Sequence, residues 1–378
     1  MIHFAELSRR IEALMVTAVV PGLSIAIIDK GQLVRTQAFG VADARSGESV
    51  TTETIFEAAS LTKPLFAYLA LQLVEEGVLA LDIPVTNYLP EKERTADRLF
   101  DISGQNESGI FDYVVNETAV QQITLRHVLS HQPGFPNWTN KGKRLKLHLA
   151  PGQRFSYSGD GYHFLQKILA QKLGENPADL LRERVLMPLG MNRSHPMGTG
   201  LEAFHVATGH NEKAEAMEKW ISSEMYAAAT LHTTPSDYAR FVLALMQPDS
   251  SNPAHLSEVM TQNMLRPEVQ VNDCAPWHHD WPREDVNLEP DLFWGLGWGL
   301  ERRDDGYAIW QWGDNGDFKA FVWGMMATGT AVVLMANSNN ADEIWLDILT
   351  EIVGGRFASL GWLARMAAYN RQNKEQAE

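Results

Sequence analysis

Residues 57–77 read EAASLTKPLFAYLALQLVEEG. From Leu61 to Gly77 apolar side chains recur at helical spacing, and Gly77 stands where a glycine closes a helix. Pro64 falls in the first turn, where its missing N–H has no helical partner to lose. Ser60 stands at the head of this helix and Lys63 three residues on, so both side chains leave one helical face. A serine hydroxyl is a poor nucleophile until a base takes its proton. A lysine does this when burial or a neighbouring cation depresses its pKa, and the positive end of an apolar helix supplies both influences. Alone, the pair says little: serine is common at helix N-caps, and composition yields about one Ser-x-x-Lys by chance in a chain of this length.

Outward from that helix, the two ends of the chain look alike. Phe4, Leu7, Ile11, Leu14 and Met15 mark an amphipathic helix over residues 4–17, stopped by Pro21 and Gly22. LSIAIID and QLVRTQAFG flank the turn Asp29-Lys30-Gly31 and predict a β-hairpin, its first strand buried on both faces. LFWGLGWGLERR, YAIWQWG, FKAFVWGMM and TAVVLMAN are four strand runs separated by DDG, DNGD and ATG, an antiparallel meander. A helix over 343–352 follows, and the polar tail after Met366 is expected to fray. Residues 78–221 read as loops and helices, and 266–294, rich in Pro, Asp and Trp, as a long loop. The expected architecture is α/β (α+β). An antiparallel sheet flanked by helices is built from 1–80 and 222–378, a mostly helical domain is inserted over 81–221, and the site lies in the cleft between them.

The 378 residues carry a formal net charge of −15, which repels phosphate backbones and excludes nucleic acid as a partner. Cys274 is the sole cysteine, so no internal disulfide forms. The N-terminus MIHFAELSRRIEALM has no continuous apolar stretch, so neither a secretory signal nor a membrane span is expected, and the cytoplasm is the expected compartment.

Two further segments carry chemistry. PGQRFSYSGDGYHFLQKILAQKLG places Tyr157 on a loop just before a helix beginning about Tyr162, where a nearby ammonium would lower its pKa and let it pass a proton to a leaving group. WQWGDNGDFKAF is a strand, a Gly-containing turn and the next strand, whose edge N–H would donate to an oxyanion. Taken singly, each reads as well as a packed tyrosine and a plain hairpin.

Other signals have plainer readings. His127 and His131 are four apart on an expected helix, a spacing seen in zinc sites, but no metalloprotease glutamate accompanies them. Cys274, His278, His279 and Asp280 cluster in the irregular stretch and read as a solvated loop; no metal is expected. Seven of the eleven tryptophans fall between Trp277 and Trp323, as core packing or as an aromatic wall for an acyl group.

The three motifs in this order resemble the serine β-lactamase, penicillin-binding protein and carboxylesterase superfamily, in its class C β-lactamase-like branch. IFEAASLTKP, LVEEGVLALDIPVTNYLP, ITLRHVLSHQPGFP, PGQRFSYSGDGY, VLMPLGMNRS and AAATLHTTPSDYARFVLALM are similar to successive blocks of that family. The resemblance implies a β-lactamase/transpeptidase-like fold and a serine hydrolase. Ser60 would form an acyl-enzyme, and Lys63 would be the base, shared with Tyr157. The backbone N–H groups of Ser60 and Asp314 would form the oxyanion hole; no cofactor is needed. The substrate would be a small ester or amide; a β-lactam, a D-amino-acid peptide or a non-catalytic binding role are the alternatives, and the oligomeric state stays open.

Two departures qualify the carry-over. Gly159 stands where the family has an asparagine amide that holds base and substrate. The third motif, usually Lys or His then any residue then Gly, reads Gln311, Trp312, Gly313, or in a second register Asp314, Asn315, Gly316. Neither register brings the cation that meets a substrate carboxylate, and Asp314 is expected to repel one. Lys319 lies on the next strand.

Overall fold

The computed structural model describes residues 4–94, 112–113, 117–139, 144–145, 147–219, 221–249, 251–252, 254–274 and 285–377. Helix α1 (Phe4–Thr17) buries Leu7, Ile11 and Met15, the stripe its spacing predicts. Strands β1 (Gly22–Asp29) and β2 (Gln32–Asp43) form the hairpin, with Lys30 and Gly31 both at positive φ, as a two-residue turn of the right twist requires. β1 is buried almost throughout, because β2 pairs with one edge and both faces are covered.

Then come β3 (Glu48–Ser49), β4 (Phe56–Ala59) and α2 (Thr62–Glu75). Among the described residues of 81–221, the elements are short helices, the helix Gly159–Leu173 and the two-residue pair β5 (Asp112–Tyr113) and β6 (Arg144–Leu145). β7 (Leu231–Thr233) pairs with β4, and the helix Pro235–Met246 follows.

The C-terminal strands are β8 (Val269–Asn272), β9 (Leu288–Trp294), β10 (Gly299–Arg303), β11 (Gly306–Asp314), β12 (Lys319–Met325) and β13 (Thr330–Ala336). They join the N-terminal hairpin in one antiparallel sheet of order β3-β2-β1-β13-β12-β11-β10-β9-β8. Three expectations need correcting. The stretch 266–294 is not all loop: its ends are β8 and β9, paired with each other. LFWGLGWGLERR is two strands, because Gly295 packs against the Met264 and Arg266 carbonyls and Gly297 takes φ 99°, turning the chain between β9 and β10. The tail after Met366 continues a helix, Ala358–Ala377, whose Trp362 and Met366 are buried anchors and whose Ala, Gln, Lys and Glu residues favour helix.

The sheet's two faces bury different layers. Ile309, Val322 and Val333 face α2 and the helix Pro235–Met246, while Trp310, Phe321, Trp323 and Leu334 face α1 and the C-terminal helices. β11 is paired along most of its length by β12, from Ala308 to Asp314, but β10 pairs only Gly306–Trp310. Among the described residues Gln311–Asp314 therefore have no strand neighbour on the β10 side.

Candidate active site

The segment around Ser60 is built as a sharp elbow. β4 ends at Ala59, a non-glycine residue at φ 48°, a left-handed conformation that costs energy and clusters at functional sites. The Thr62 hydroxyl donates to the Ala59 carbonyl (2.6 Å) and accepts the Leu231 N–H (3.0 Å), stapling the elbow to β7. Ser60 is not the helix N-cap: that position is Leu61, so the serine hydroxyl is not spent on a capping bond.

That hydroxyl meets Lys63 and Tyr157. Lys63 Nζ lies 3.0 Å from Ser60 Oγ and donates to the Ala228 carbonyl at 2.9 Å. The whole side chain is buried. Burial holds its pKa well below the usual lysine range, opposed by the Asp160 carboxylate. Nζ also stands over the rings of Tyr157 (4.7 Å) and Trp138 (5.8 Å). The Tyr157 phenol hydrogen-bonds with Ser60 and accepts from Gln311 Nε2 at 3.0 Å. Here the expectation of a lowered tyrosine pKa is corrected: burial raises it, outweighing the two hydrogen bonds. Lys63 is thus the group whose neutral form is favoured, and Tyr157 the group that keeps its proton.

Tyr157 is held by its ring. Trp312 packs on it at 4.4 Å and His131 at 4.2 Å. His131 accepts the Ser158 N–H at Nδ1 (3.0 Å), and burial keeps it neutral. His131 lies beyond the helix Leu125–Leu129, at φ 57°, while His127 closes the N-terminal capping box of that helix with Thr124. The two histidines are committed separately. No group of three His, Cys, Asp or Glu side chains able to hold a metal occurs among the described residues. Cys274 is buried; His278, His279 and Asp280 lie outside the described residues.

The remaining candidates fall as follows. The helix after Tyr157 begins at Gly159, with Ser158 as its N-cap, three residues earlier than expected. Gly159 donates its N–H to Asn137 Oδ1 (3.1 Å), and a Cβ there would meet the Asn137 carbonyl at 2.6 Å and the Trp138 ring at 3.1 Å. The loop carrying Asn137 and Trp138 therefore occupies the space a side chain at 159 would need. Trp310 and Trp312 are buried in the layer under the terminal helices, so their side chains are core, not a wall open to a substrate. Among the described residues the exposed aromatic at the site is Trp138, which sequence reading missed; no periodic pattern marks it. Gly313 lies so close to β4 that a Cβ would meet the Ala58 carbonyl at 2.3 Å. This presses β11 against the strand that carries Ser60. Asp314 ends β11 and pairs with Lys319 Nζ at 2.7 Å. Its charge is therefore compensated by Lys319 on the next strand, and the expected repulsion from Asp314 is corrected. Asp160 is buried, accepts from Thr139 at 2.6 Å and is pushed up to about 7 by burial.

No helix among the described residues is long and apolar enough to cross a membrane. Penicillin-binding protein 4 of Amycolatopsis lactamdurans is 24% identical over 93% of this chain and 89% of its own length. A D-aminopeptidase of Brucella canis is 30% identical over 45% of this chain, which spans 32% of that protein's length. The structure of an octameric penicillin-binding protein homologue from Pyrococcus abyssi superposes with a TM-score of 0.73 at 22% identity, covering 94% of this chain and 78% of that one, a likeness of fold. The family model "Beta-lactamase" matches residues 7–350. That match runs from the first helix to the helix beyond the last strand, over the whole sheet and every motif around Ser60, and this chain belongs to the β-lactamase family.

Proposed function

We propose that the protein is a serine hydrolase acting on esters or amides of small molecules through an acyl-enzyme on Ser60. The observation that carries this reading is the buried Lys63 amine 3.0 Å from Ser60 Oγ, its pKa depressed by burial. Ser60 Oγ would bond to the substrate carbonyl carbon while its proton passes to Lys63 Nζ. The carbonyl oxygen would take up negative charge between the N–H groups of Ser60 and Asp314. Collapse would break the bond to the leaving alcohol or amine, which receives a proton through the Tyr157 hydroxyl. Water would then release the acid by the reverse path. We also propose that 1–80 with 222–378 and the inserted 81–221 are the two units meeting at this site, since Ser60 and Lys63 come from the first and Tyr157 from the second. Gln311 and Gly313 would line the substrate's path along the open edge of β11.

Gln311 supports a neutral or cationic substrate over a carboxylate-bearing β-lactam, because Lys319 is already engaged by Asp314. A D-amino-acid peptidase is a second reading, favoured by the named D-aminopeptidase relative. Incubation with a fluorophosphonate or a p-nitrophenyl acyl ester, with mass spectrometry of the labelled peptide, tests the mechanism. Label on Ser60 in the wild type, and none in Ser60→Ala, is expected. Short-chain ester turnover by Ser60→Ala at near the wild-type rate refutes it.

A further inference from the structure

We propose that a second cavity beside the catalytic elbow, walled by Glu57, Asp317 and His232, binds a cationic amine carried by the acyl portion of the substrate. This rests on the Ser60 acyl-enzyme reading and adds the substrate class to it.

The cavity has a volume of about 540 Å³, and none of Ser60, Lys63 or Tyr157 lines it. It nevertheless adjoins them. Glu57 lies on β4, three residues ahead of Ser60. Asn315, the residue after Asp314, donates from Nδ2 to Glu57 Oε2 at 2.8 Å and stands 3.5 Å from the Ala229 carbonyl. The neighbouring Ala228 carbonyl is the one that holds Lys63 Nζ. Two consecutive peptide units thus separate the lysine from the cavity wall. A substrate whose carbonyl sits at Ser60 and Asp314 would send its acyl substituent past the turn at Asn315–Asp317 into this space. Phe204 and Phe318 give the cavity an apolar lining for the carbon chain of such a group.

The polar wall is unbalanced. Among the described residues neither Glu57 nor Asp317 forms an ion pair, although Glu57 is only 8% exposed. Burial raises both carboxyls, Glu57 to about 7, and the Asp317 charge adds to the rise at Glu57. The histidine beside Asp317, His210, has both ring nitrogens engaged elsewhere: Nδ1 bonds the Asn337 carbonyl at 2.9 Å, and Nε2 accepts the Ala44 N–H at 3.1 Å. Lys219 reaches the wall but turns its ammonium to the Val206 carbonyl at 3.1 Å. Glu48 is met by His205 at 3.2 Å.

His232 supplies the independent sign of a ligand. It is 4% exposed and lines the cavity. Its Nδ1–H donates to the Thr230 carbonyl at 3.0 Å, and burial lowers its pKa to about 4, so Nε2 presents a lone pair with no hydrogen bond among the described residues. Asp317, the ionised form of Glu57 and the imidazole lone pair are all acceptors, and an ammonium beside Glu57 favours that ionised form over the protonated one that burial alone promotes. An ammonium has three N–H donors and a charge of the complementary sign. A carboxylate, a phosphate or an uncharged chain satisfies neither the geometry nor the charge.

The test compares 6-aminohexanoyl p-nitroanilide with its N-acetyl derivative at pH 7. In the wild type the free amine should be preferred at least about tenfold in kcat/KM, through KM. The preference should fall toward one in Glu57→Gln and weaken in Asp317→Asn, the second variant guarding against a folding defect in the first. A second arm measures inhibition of p-nitrophenyl acetate hydrolysis by n-butylammonium, n-butanol and butyrate. Selective inhibition by the ammonium is expected, and this arm decides where neither anilide turns over. Equal kcat/KM for the two anilides, a preference unchanged in both variants, or inhibition no stronger by the ammonium than by butanol overturns the proposal. Fluorophosphonate labelling of Ser60 in the same preparation separates that outcome from failure of the acyl-enzyme reading.

Discussion

The inner and outer halves of β11 come from one run of alternating sequence, GYAIWQWGD, yet they do different things. Ala308–Trp310 is paired on both edges, by β10 and β12, and its side chains are core on both faces. Among the described residues Gln311–Asp314 is paired only by β12. Tyr157 stands at that half, accepting from Gln311 and stacked on Trp312, while Gly313 abuts the strand that carries Ser60. A strand with both edges filled has only side chains to offer; a strand with one edge free also has backbone donors and acceptors. The boundary between the halves is set by where β10 begins, at Gly299, whose missing Cβ leaves room for the Trp310 indole.

The largest effect expected is at the proposed base, Lys63, beside the outer half. Lys63→Ala should cost at least ~10²-fold in acylation, the usual scale for a lost general base. Lys63→Arg should not restore it, because a guanidinium keeps its proton. In the wild type kcat/KM should rise with pH as Lys63 deprotonates, at a pH well below the ordinary 10.5, since burial disfavours the ammonium. A fully active arginine variant would reduce Lys63 to an electrostatic prop.

The comparison itself is tested by one substitution in each half. Gly313→Ala puts a methyl against the Ala58 carbonyl, where backbone must move, and should lower the acylation rate by roughly 10- to 100-fold through misplacement of the reacting groups. Trp310→Ala should instead remove about 3–5 kcal/mol of stability, with near wild-type turnover per folded molecule. Denaturant melts and active-site titration of both variants check this. A Gly313→Ala enzyme of normal rate, or a stable but inactive Trp310→Ala, would erase the distinction between the halves.

The smallest effect concerns selectivity. Gln311→Lys should raise activity toward a carboxylate-bearing β-lactam relative to a neutral ester by about tenfold for each ~1.4 kcal/mol of recovered interaction. Kinetics of both enzymes on one ester and one penicillin measure it. Efficient wild-type β-lactam turnover would show that Gln311 does not set the preference.

Much of this was legible in the chain. Helical spacing located α1 and α2, and the run of strand segments located the meander, because a 3.6-residue or two-residue apolar period survives without tertiary knowledge. Ser60, Lys63 and Tyr157 were read from motif order. The splitting of LFWGLGWGLERR was missed because two glycines within four residues blur a strand break into a strand. The terminal helix was missed because the residues after Met366 are polar in sequence and carry no apolar period, while its anchors, Trp362 and Met366, lie before them. Ala228 serves through its carbonyl and Asn137 through contacts with Gly159, roles that residue type does not announce.

The sequence by itself determined which residue types are present and in what local geometry: a serine at the head of an apolar helix, a lysine one turn on, a tyrosine before a second helix and no cation at 311. The tertiary structure decided their electrical state and their neighbours. Burial lowers Lys63 and raises Tyr157, against what an adjacent ammonium alone would do, and Lys319 is drawn to Asp314 across a strand pair. Protonation and pairing depend on desolvation and on distances between residues far apart in the chain, and local sequence encodes neither.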